Sequence, residues 1–387
     1  MSAVKQATSP VQQRPSAGSP YRVMLVDDSA VIRGMLARWI SNESDCVIVG
    51  SYPNGAQAVQ HVKTCGAEIV VLDIEMPVMD GLTALPLLLK EVPGLQVLMA
   101  STLTARNADI SMRALSLGAV DYIPKPESAR VGSTTSDFQR DLLDKIKALG
   151  GRLRRRSGVP ASGAAPVATV SRQASAAVGP AKPAALVLRK PSKIKPEILA
   201  IGSSTGGPQA LFTFLGGLGK KVDVPIVITQ HMPPTFTAIL AEHIQKLTGI
   251  PASEGAVGDV VEPGKIIIAP GDYHMTLVQM GTKRVVKLDQ GPQVNFCRPA
   301  VDPMFKSVSG LYGAGTLAVV LTGMGHDGRE GGRTIVNAGG SVVAQDEETS
   351  TVWGMPGAVA EAGLCSAVVP LNDMAPLVRR YLQGAAE

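Results

Sequence analysis

ILAIGSSTGGPQAL, residues 198–211, passes from an apolar run into two serines, a threonine and two glycines, and then into a segment of helical composition. An apolar run, a Gly-rich turn and a helix in that order form the repeating joint of a parallel α/β sheet. Gly202, Ser204 and Gly206 also fit G-x-S-x-G, the pattern in which a sharp turn lifts a serine above the sheet. Five residues leave other readings open. Such turns cradle phosphates at a helix N-terminus, although no lysine follows here as in a Walker loop. Ser203 or Ser204 could also simply cap the helix.

The same texture extends outward. From Pro196 to Glu387 the runs EILAIG, PIVITQ, KIIIAP, LAVVLT and SVVAQ read as buried strands; upstream, RVMLV, CVIVGS, EIVVL, QVLMA and DYIP alternate with helix-length amphipathic segments. Each block is therefore expected to be a parallel sheet covered on both faces, with ligands beyond the carboxyl ends of its strands. At 387 residues and 45% hydrophobic content, two domains are expected. Residues 1–20 and 151–195, rich in Ala, Pro, Ser and Gly without apolar periodicity, read as a disordered tail and a flexible linker. The domains are thus placed at 21–150 and 196–387.

Charge follows this division. Of 37 Lys and Arg and 32 Asp and Glu, ten basic and no acidic residues fall in 151–195, which leaves 27 basic against 32 acidic elsewhere. The folded blocks are acidic, and RLRRR at 152–156 reads as solvated linker. No helix-turn-helix pattern or aromatic interleaving supports nucleic-acid binding. No stretch approaches 18 consecutive apolar residues and the first twenty lack a signal-peptide core, so a cytoplasmic protein without membrane insertion is expected. Cys46, Cys65, Cys297 and Cys365 form no C-x-x-C pair and read as small buried hydrophobes.

In the first block Asp27 and Asp28 follow one strand and Asp73 another. Three carboxylates at one sheet edge repel one another and favour a divalent cation, and hard oxygen ligands suit Mg²⁺. Helix capping is the plainer alternative for each Asp, but it leaves Ser101, Tyr122 and Lys125, all at strand ends or within the last strand, without a role. In the second block a serine nucleophile needs a base, usually a histidine oriented by a carboxylate. Of the five histidines, His61 and His243 read as surface residues, while His231 closes PIVITQ on the edge expected for Ser204. His274, after IIIAPGDY, competes with it, and His326 lies in LTGMGHDG. Asp327 follows LAVVL in a loop with Gly323, Gly325 and Gly328, and could orient the base or cap the following helix. The order Ser204, His231, Asp327 differs from that of α/β-hydrolases.

VMLVDDS, VVLDIEMPVMDG, VLMAST and GAVDYIPKP, in this order, resemble a two-component receiver. The resemblance implies a flavodoxin-like five-stranded sheet, Asp73 as phosphoacceptor, and Mg²⁺ held by Asp27, Asp28, Asp73 and the Glu75 carbonyl. It further implies Lys125 paired with the phosphoryl group, and Ser101 and Tyr122 as switch residues. IGSSTGGP, QHMPPTFT, APGDYHM, CRPAVDPMF and LTGMGHDGREG together resemble the catalytic domain of chemotaxis protein-glutamate methylesterases of the CheB type. That likeness implies a Rossmann-like doubly wound α/β domain, with Ser204 as nucleophile, His231 as base and Asp327 as its partner. It also implies the Met324 N–H in the oxyanion hole, Thr205 supporting the histidine, and no cofactor in the esterase site. The implied partners are chemoreceptor cytoplasmic helices as substrate and a chemotaxis histidine kinase as phospho-donor. The rival readings are a receiver-controlled binding module and a transcriptional regulator.

Overall fold

The computed structural model describes residues 19–102, 104–125, 135–156, 186–220 and 222–384. Most of the expected tail, and linker residues 157–185, lie outside the described residues. By contact density the chain forms two compact units, Met1–Gln96 with Ile146–Ala168 and Val97–Lys145 with Thr169–Glu387.

The elements run β1 (Tyr21–Val26), α1 (Ala30–Ser41), β2 (Cys46–Tyr52), α2 (Gly55–Cys65), β3 (Ile69–Asp73), α3 (Gly81–Glu91), β4 (Gln96–Ser101), α4 (Ala105–Ser116), β5 (Asp121–Pro124) and α5 (Thr135–Arg156). The sheet order is β2-β1-β3-β4-β5, the flavodoxin-like arrangement expected. Sheet order reverses at β1 and β3, so the ends of these two strands flank a crevice. β1 and β3 read as continuous apolar runs because both faces are covered: Val23–Val26 and Ile69–Leu72 are buried throughout. Ser29, Asn54 and Asp80 cap α1, α2 and α3, each accepting a backbone N–H with its side-chain oxygen.

One reading of composition is corrected. RLRRR, read as solvated linker, forms the last turns of α5, where Arg154 is buried with its guanidinium carbon 4.0 Å from the Tyr21 ring centroid. The arginine stem covers apolar surface while its planar head stacks on an aromatic face, a role that counting charges cannot show.

The second half continues with β6 (Ile198–Ser203), α6 (Gly207–Leu218), β7 (Ile226–Gln230), α7 (Phe236–Thr248), β8 (Ala252–Glu254), β9 (Ile266–Ile268), β10 (His274–Met280), β11 (Lys283–Asp289), α8 (Val301–Tyr312), β12 (Thr316–Val320), α9 (Arg329–Asn337), β13 (Ser341–Gln345), α10 (Met355–Glu361), β14 (Ala367–Val369) and α11 (Leu371–Leu382). Its parallel sheet has the order β14-β13-β12-β6-β7-β9-β8, doubly wound about β6 and β12. The five expected strands are present. β8 and β14, three residues each and only partly buried, were not legible as strands, because an edge strand needs no continuous apolar run. The hairpin β10–β11 forms a separate antiparallel pair.

Within the second unit, α4 and β5 pack on α6 and α7. Gln209 Nε2 donates to the Leu115 carbonyl at 2.6 Å, His243 Nε2 meets Asp109 Oδ1 at 3.0 Å, and the Tyr122 and Phe236 rings stack with centroids 4.4 Å apart. His243, expected at the surface, is therefore paired. His61, also expected there, stacks on Tyr52.

Candidate active site

Ser204 follows β6 and Asp327 follows β12, so the crossover of the doubly wound sheet brings the two loops together at its carboxyl edge. The turn after β6 is built by glycines with distinct tasks. Gly202 lets α8 lie against β6, since a Cβ there would sit 2.6 Å from Val301 Cγ1. Gly206 takes the left-handed φ of 73° that starts α6. In the nucleophile elbow of G-x-S-x-G enzymes the turn strains the serine; here Gly206 is left-handed and Ser204 has no positive φ. Ser204 is held by its backbone: its N–H donates to the Thr322 carbonyl at 3.1 Å, and its carbonyl accepts from Gln230 Nε2 at 2.9 Å and from the Gly207 N–H at 2.7 Å. Its partly exposed hydroxyl makes no hydrogen bond among the described residues. Ser203, by contrast, is fully buried and donates to Gln230 Oε1 at 2.7 Å.

His231 lies one residue beyond β7, its N–H bonded to the Ser203 carbonyl at 3.1 Å, and its Nε2 is 2.8 Å from Asp327 Oδ2. Asp327 is 1% exposed, which would be costly for a lone charge, but donors surround it. Val301 N–H at 2.5 Å joins His231 on Oδ2, while Asn295 Nδ2 at 2.9 Å, Asp302 N–H at 3.0 Å and Gly328 N–H at 3.0 Å reach Oδ1. Burial raises the Asp327 pKa, but the hydrogen bond and charge of His231 and the α8 amides overcome it, and the carboxyl is held below its usual range. Asp327 thus serves the N-terminus of α8, through the Val301 and Asp302 amides, as well as the Gly328 amide that opens the helix following it. Asp302 performs the reciprocal task, accepting from Gly328 N–H at 3.0 Å and Gly331 N–H at 2.7 Å at the start of α9.

An ionised carboxylate only accepts, so the bridging proton belongs to Nε2 and leaves Nδ1 as the basic nitrogen of the ring. Nδ1 lies 3.3 Å from Cys297 Sγ. Burial disfavours the imidazolium, yet charge at Cys297 and hydrogen bonds to Asp327 and Cys297 outweigh it, raising the His231 pKa to about 10.

The competing histidine is committed elsewhere. His274 is buried, its Nδ1 accepting from the Ala300 N–H at 3.2 Å and its Nε2 meeting the Pro292 carbonyl at 3.0 Å. His326 is exposed. The support expected from Thr205 is not made: its hydroxyl is buried without a hydrogen-bond partner, and the ring is held by Asp327 and Cys297 instead. Met324 lies in the loop clamped by Gly323 N–H to the Val352 carbonyl and Met355 N–H to the Gly323 carbonyl, and its own N–H makes no hydrogen bond among the described residues. Asn295, Cys297, Asp302 and Gln230 escaped the sequence reading, since no motif marks a residue whose task is to hold another.

In the first unit, Asp27, Asp28 and Asp73 each offer a carboxylate oxygen, all within 4.8 Å of one another. Asp27 and Asp73 are buried; Asp27 Oδ1 accepts from Ser29 N–H and Asp73 Oδ1 from Ile74 N–H. Gly81 closes on Asp73 so tightly that a Cβ would stand 2.0 Å from the Asp73 carbonyl oxygen. Clustered hard oxygens of one charge sign fit Mg²⁺. Of the expected switch residues in the second unit, Ser101 ends β4 and donates to the Thr102 carbonyl, Tyr122 is buried in β5, and the Lys125 N–H donates to the Ser101 carbonyl at 2.6 Å.

These features define a class: a flavodoxin-like unit with an acidic cluster at its carboxyl edge, carried on the same chain as a doubly wound α/β domain with a Ser, His and Asp grouped at its own. Comparison with known proteins narrows it. Residues 23–133 match the response regulator receiver domain and 199–378 the CheB methylesterase domain. The chain is 54% identical, over 94% of its length and 95% of the relative, to the protein-glutamate methylesterase/protein-glutamine glutaminase of Rhodopseudomonas palustris strain BisB5. It is 50% identical, with the same coverage, to the group 2 operon protein of that description from Bradyrhizobium diazoefficiens. The solved CheB methylesterase catalytic domain of Thermotoga maritima is 39% identical, covering 48% of this chain and 99% of that one with a TM-score of 0.47. This chain belongs to the protein-glutamate methylesterase/protein-glutamine glutaminase family.

Proposed function

We propose that the chain is a phosphorylation-controlled serine esterase that hydrolyses glutamate methyl esters on chemoreceptor cytoplasmic helices, releasing methanol, and that deamidates receptor glutamines by the same acyl chemistry. The observation that carries this reading is the His231–Asp327 pair, with its five donors to one buried carboxylate, beside Ser204 at the crossover of the sheet. Nδ1 of His231 takes the Ser204 proton as the hydroxyl attacks the ester carbonyl. The Met324 N–H is directed to the developing oxyanion, and the proton passes to the leaving methoxide. Water, deprotonated at the same nitrogen, then frees the carboxylate. Asp327 holds the ring's tautomer and stabilises the imidazolium.

Residues 21–150 serve as the receiver and 196–387 as the catalytic domain. Asp27, Asp28 and Asp73 would hold Mg²⁺, which neutralises phosphoryl oxygens during transfer from a chemotaxis histidine kinase to Asp73; Lys125 pairs with the phosphoryl group, and Ser101 and Tyr122 transmit the change. Stacking of Tyr122 on Phe236 and of Arg140 over Phe296, 5.6 Å from its centroid, supports a restraint near the catalytic loops that phosphorylation relieves. Among the described residues no helix is long and apolar enough to cross a membrane. Incubation with methyl-labelled receptor membranes, with and without a small phospho-donor and Mg²⁺, tests the proposal. Methanol release that rises with the donor is expected; absence of release in both conditions refutes it.

A further inference from the structure

The turn Val294–Cys297 is closed by two backbone bonds, Val294 N–H to the Cys297 carbonyl at 3.1 Å and Cys297 N–H to the Val294 carbonyl at 2.9 Å. Both central residues, Asn295 at φ 52° and Phe296 at φ 63°, are left-handed, as in the primed turns that favour Gly. A bulky residue in that conformation is strained, and such strain persists where the surroundings over-determine it. Here they do. Asn295 Nδ2 is shared between Asp302 Oδ2 at 3.1 Å and Asp327 Oδ1 at 2.9 Å, so the turn grips the carboxylate end of the pair. Its last residue grips the other end, with the Cys297 sulfur 3.3 Å from His231 Nδ1. Nδ1 is the only ring nitrogen not committed to Asp327, and Ser204 makes no hydrogen bond to it in this structure.

We propose that Cys297 is a positioning residue of the esterase: its sulfur holds the His231 ring by Nδ1 and yields that nitrogen to Ser204 when a substrate ester enters. The inference rests on the proposed function above. Two proton placements are chemically equivalent in balance. Either the thiol donates S–H to Nδ1, or the proton has moved to Nδ1 and the imidazolium donates to the sulfur; both hold the ring by the same 3.3 Å contact. Other charged groups leave the ring to these partners. The Asp302 carboxylate is taken up by Asn295 and the Gly328 and Gly331 amides, Arg298 is bound to Asp272 and to the Gln290 and Gly291 carbonyls, and both His274 nitrogens face backbone. The remaining cysteines are poor imitators: burial pushes the Cys46 and Cys365 thiols up to about 12 and raises that of Cys65.

Two measurements on the full-length protein test the proposal. In the first, the His231 ring is titrated by nuclear magnetic resonance in wild type and Cys297→Ala. Its protonation step should move to lower pH in Cys297→Ala, and an unmoved step would overturn the contact without reference to activity. In the second, kcat and KM for methanol release are followed against pH in wild type, Cys297→Ala and Cys297→Ser. For Cys297→Ala, the acid limb of kcat/KM should shift to lower pH by about half to one unit, with plateau kcat lowered roughly three- to tenfold and KM unchanged. Cys297→Ser, which keeps a short polar partner, should recover part of both. Coincident acid limbs in all three proteins would sink the proposal. If the His231 step moves as expected but wild type releases no methanol, the esterase reading fails while the contact stands.

Discussion

Adjacent serines 203 and 204 have opposite assignments that the structure separates. Ser203→Ala leaves Gln230 Oε1 buried without its donor, so it should lower stability by about 1–3 kcal/mol while the folded enzyme keeps most of its kcat. Ser204→Ala should abolish methanol release with thermal unfolding unchanged; equal inactivity of the two variants at equal stability would reassign the nucleophile. His231 and His274 contrast in the same way. Loss of His231 should cost about 10⁴-fold or more in kcat, whereas His274→Ala, which strips the Ala300 N–H and Pro292 carbonyl of their partner, should lower Tm and leave pH dependence alone. With His231 as the proposed base, the sign of that dependence follows from its raised pKa: a base works unprotonated, so activity falls as pH drops through that pKa. The acid limb should therefore lie above an ordinary histidine's.

At the scale of elements, the proposed mechanism makes catalysis depend on the fit of α8 against β6. The amides that begin α8 donate to Asp327, so any shift of the helix loosens the carboxylate that orients the base. Gly202→Ala drives a methyl into Val301 and should cost about 1–3 kcal/mol of stability, with kcat falling and KM nearly constant. Gly310→Ala, on the same helix with no atom within 4 Å of the added Cβ, should be neutral or stabilising by about 0.5–1 kcal/mol. Chemical denaturation and steady-state rates on both variants would separate packing at the β6 contact from helix propensity. Equal effects would mean that the α8–β6 fit does not govern the site.

For the whole molecule, the packing of α4 and β5 on α6 and α7 places Tyr122 against Phe236, at the start of the helix that follows the His231 loop. If this packing restrains the esterase, segment 190–387 should release methanol faster than the unphosphorylated full chain. Asp73→Asn should then lose its response to phospho-donor and Mg²⁺ while keeping the basal rate. An isolated segment no faster than the intact protein would leave delivery to the receptor as the receiver's main contribution.

Local patterns in the sequence were enough to mark ten of the strands and the two carboxyl edges where the candidate site residues lie. Buried parallel strands are continuous apolar runs, and reactive groups cluster where such runs end. They favoured His231, which closes an apolar run, and left His274 as a competitor; the three-dimensional pairing of the one with Asp327 and of the other with backbone supports that preference from contacts the sequence does not display. They could not reveal Asn295, Cys297 and Asp302, or the burial of Arg154 in α5. Those roles arise from contacts between segments far apart in the chain, and a residue that holds another carries no periodicity or spacing of its own.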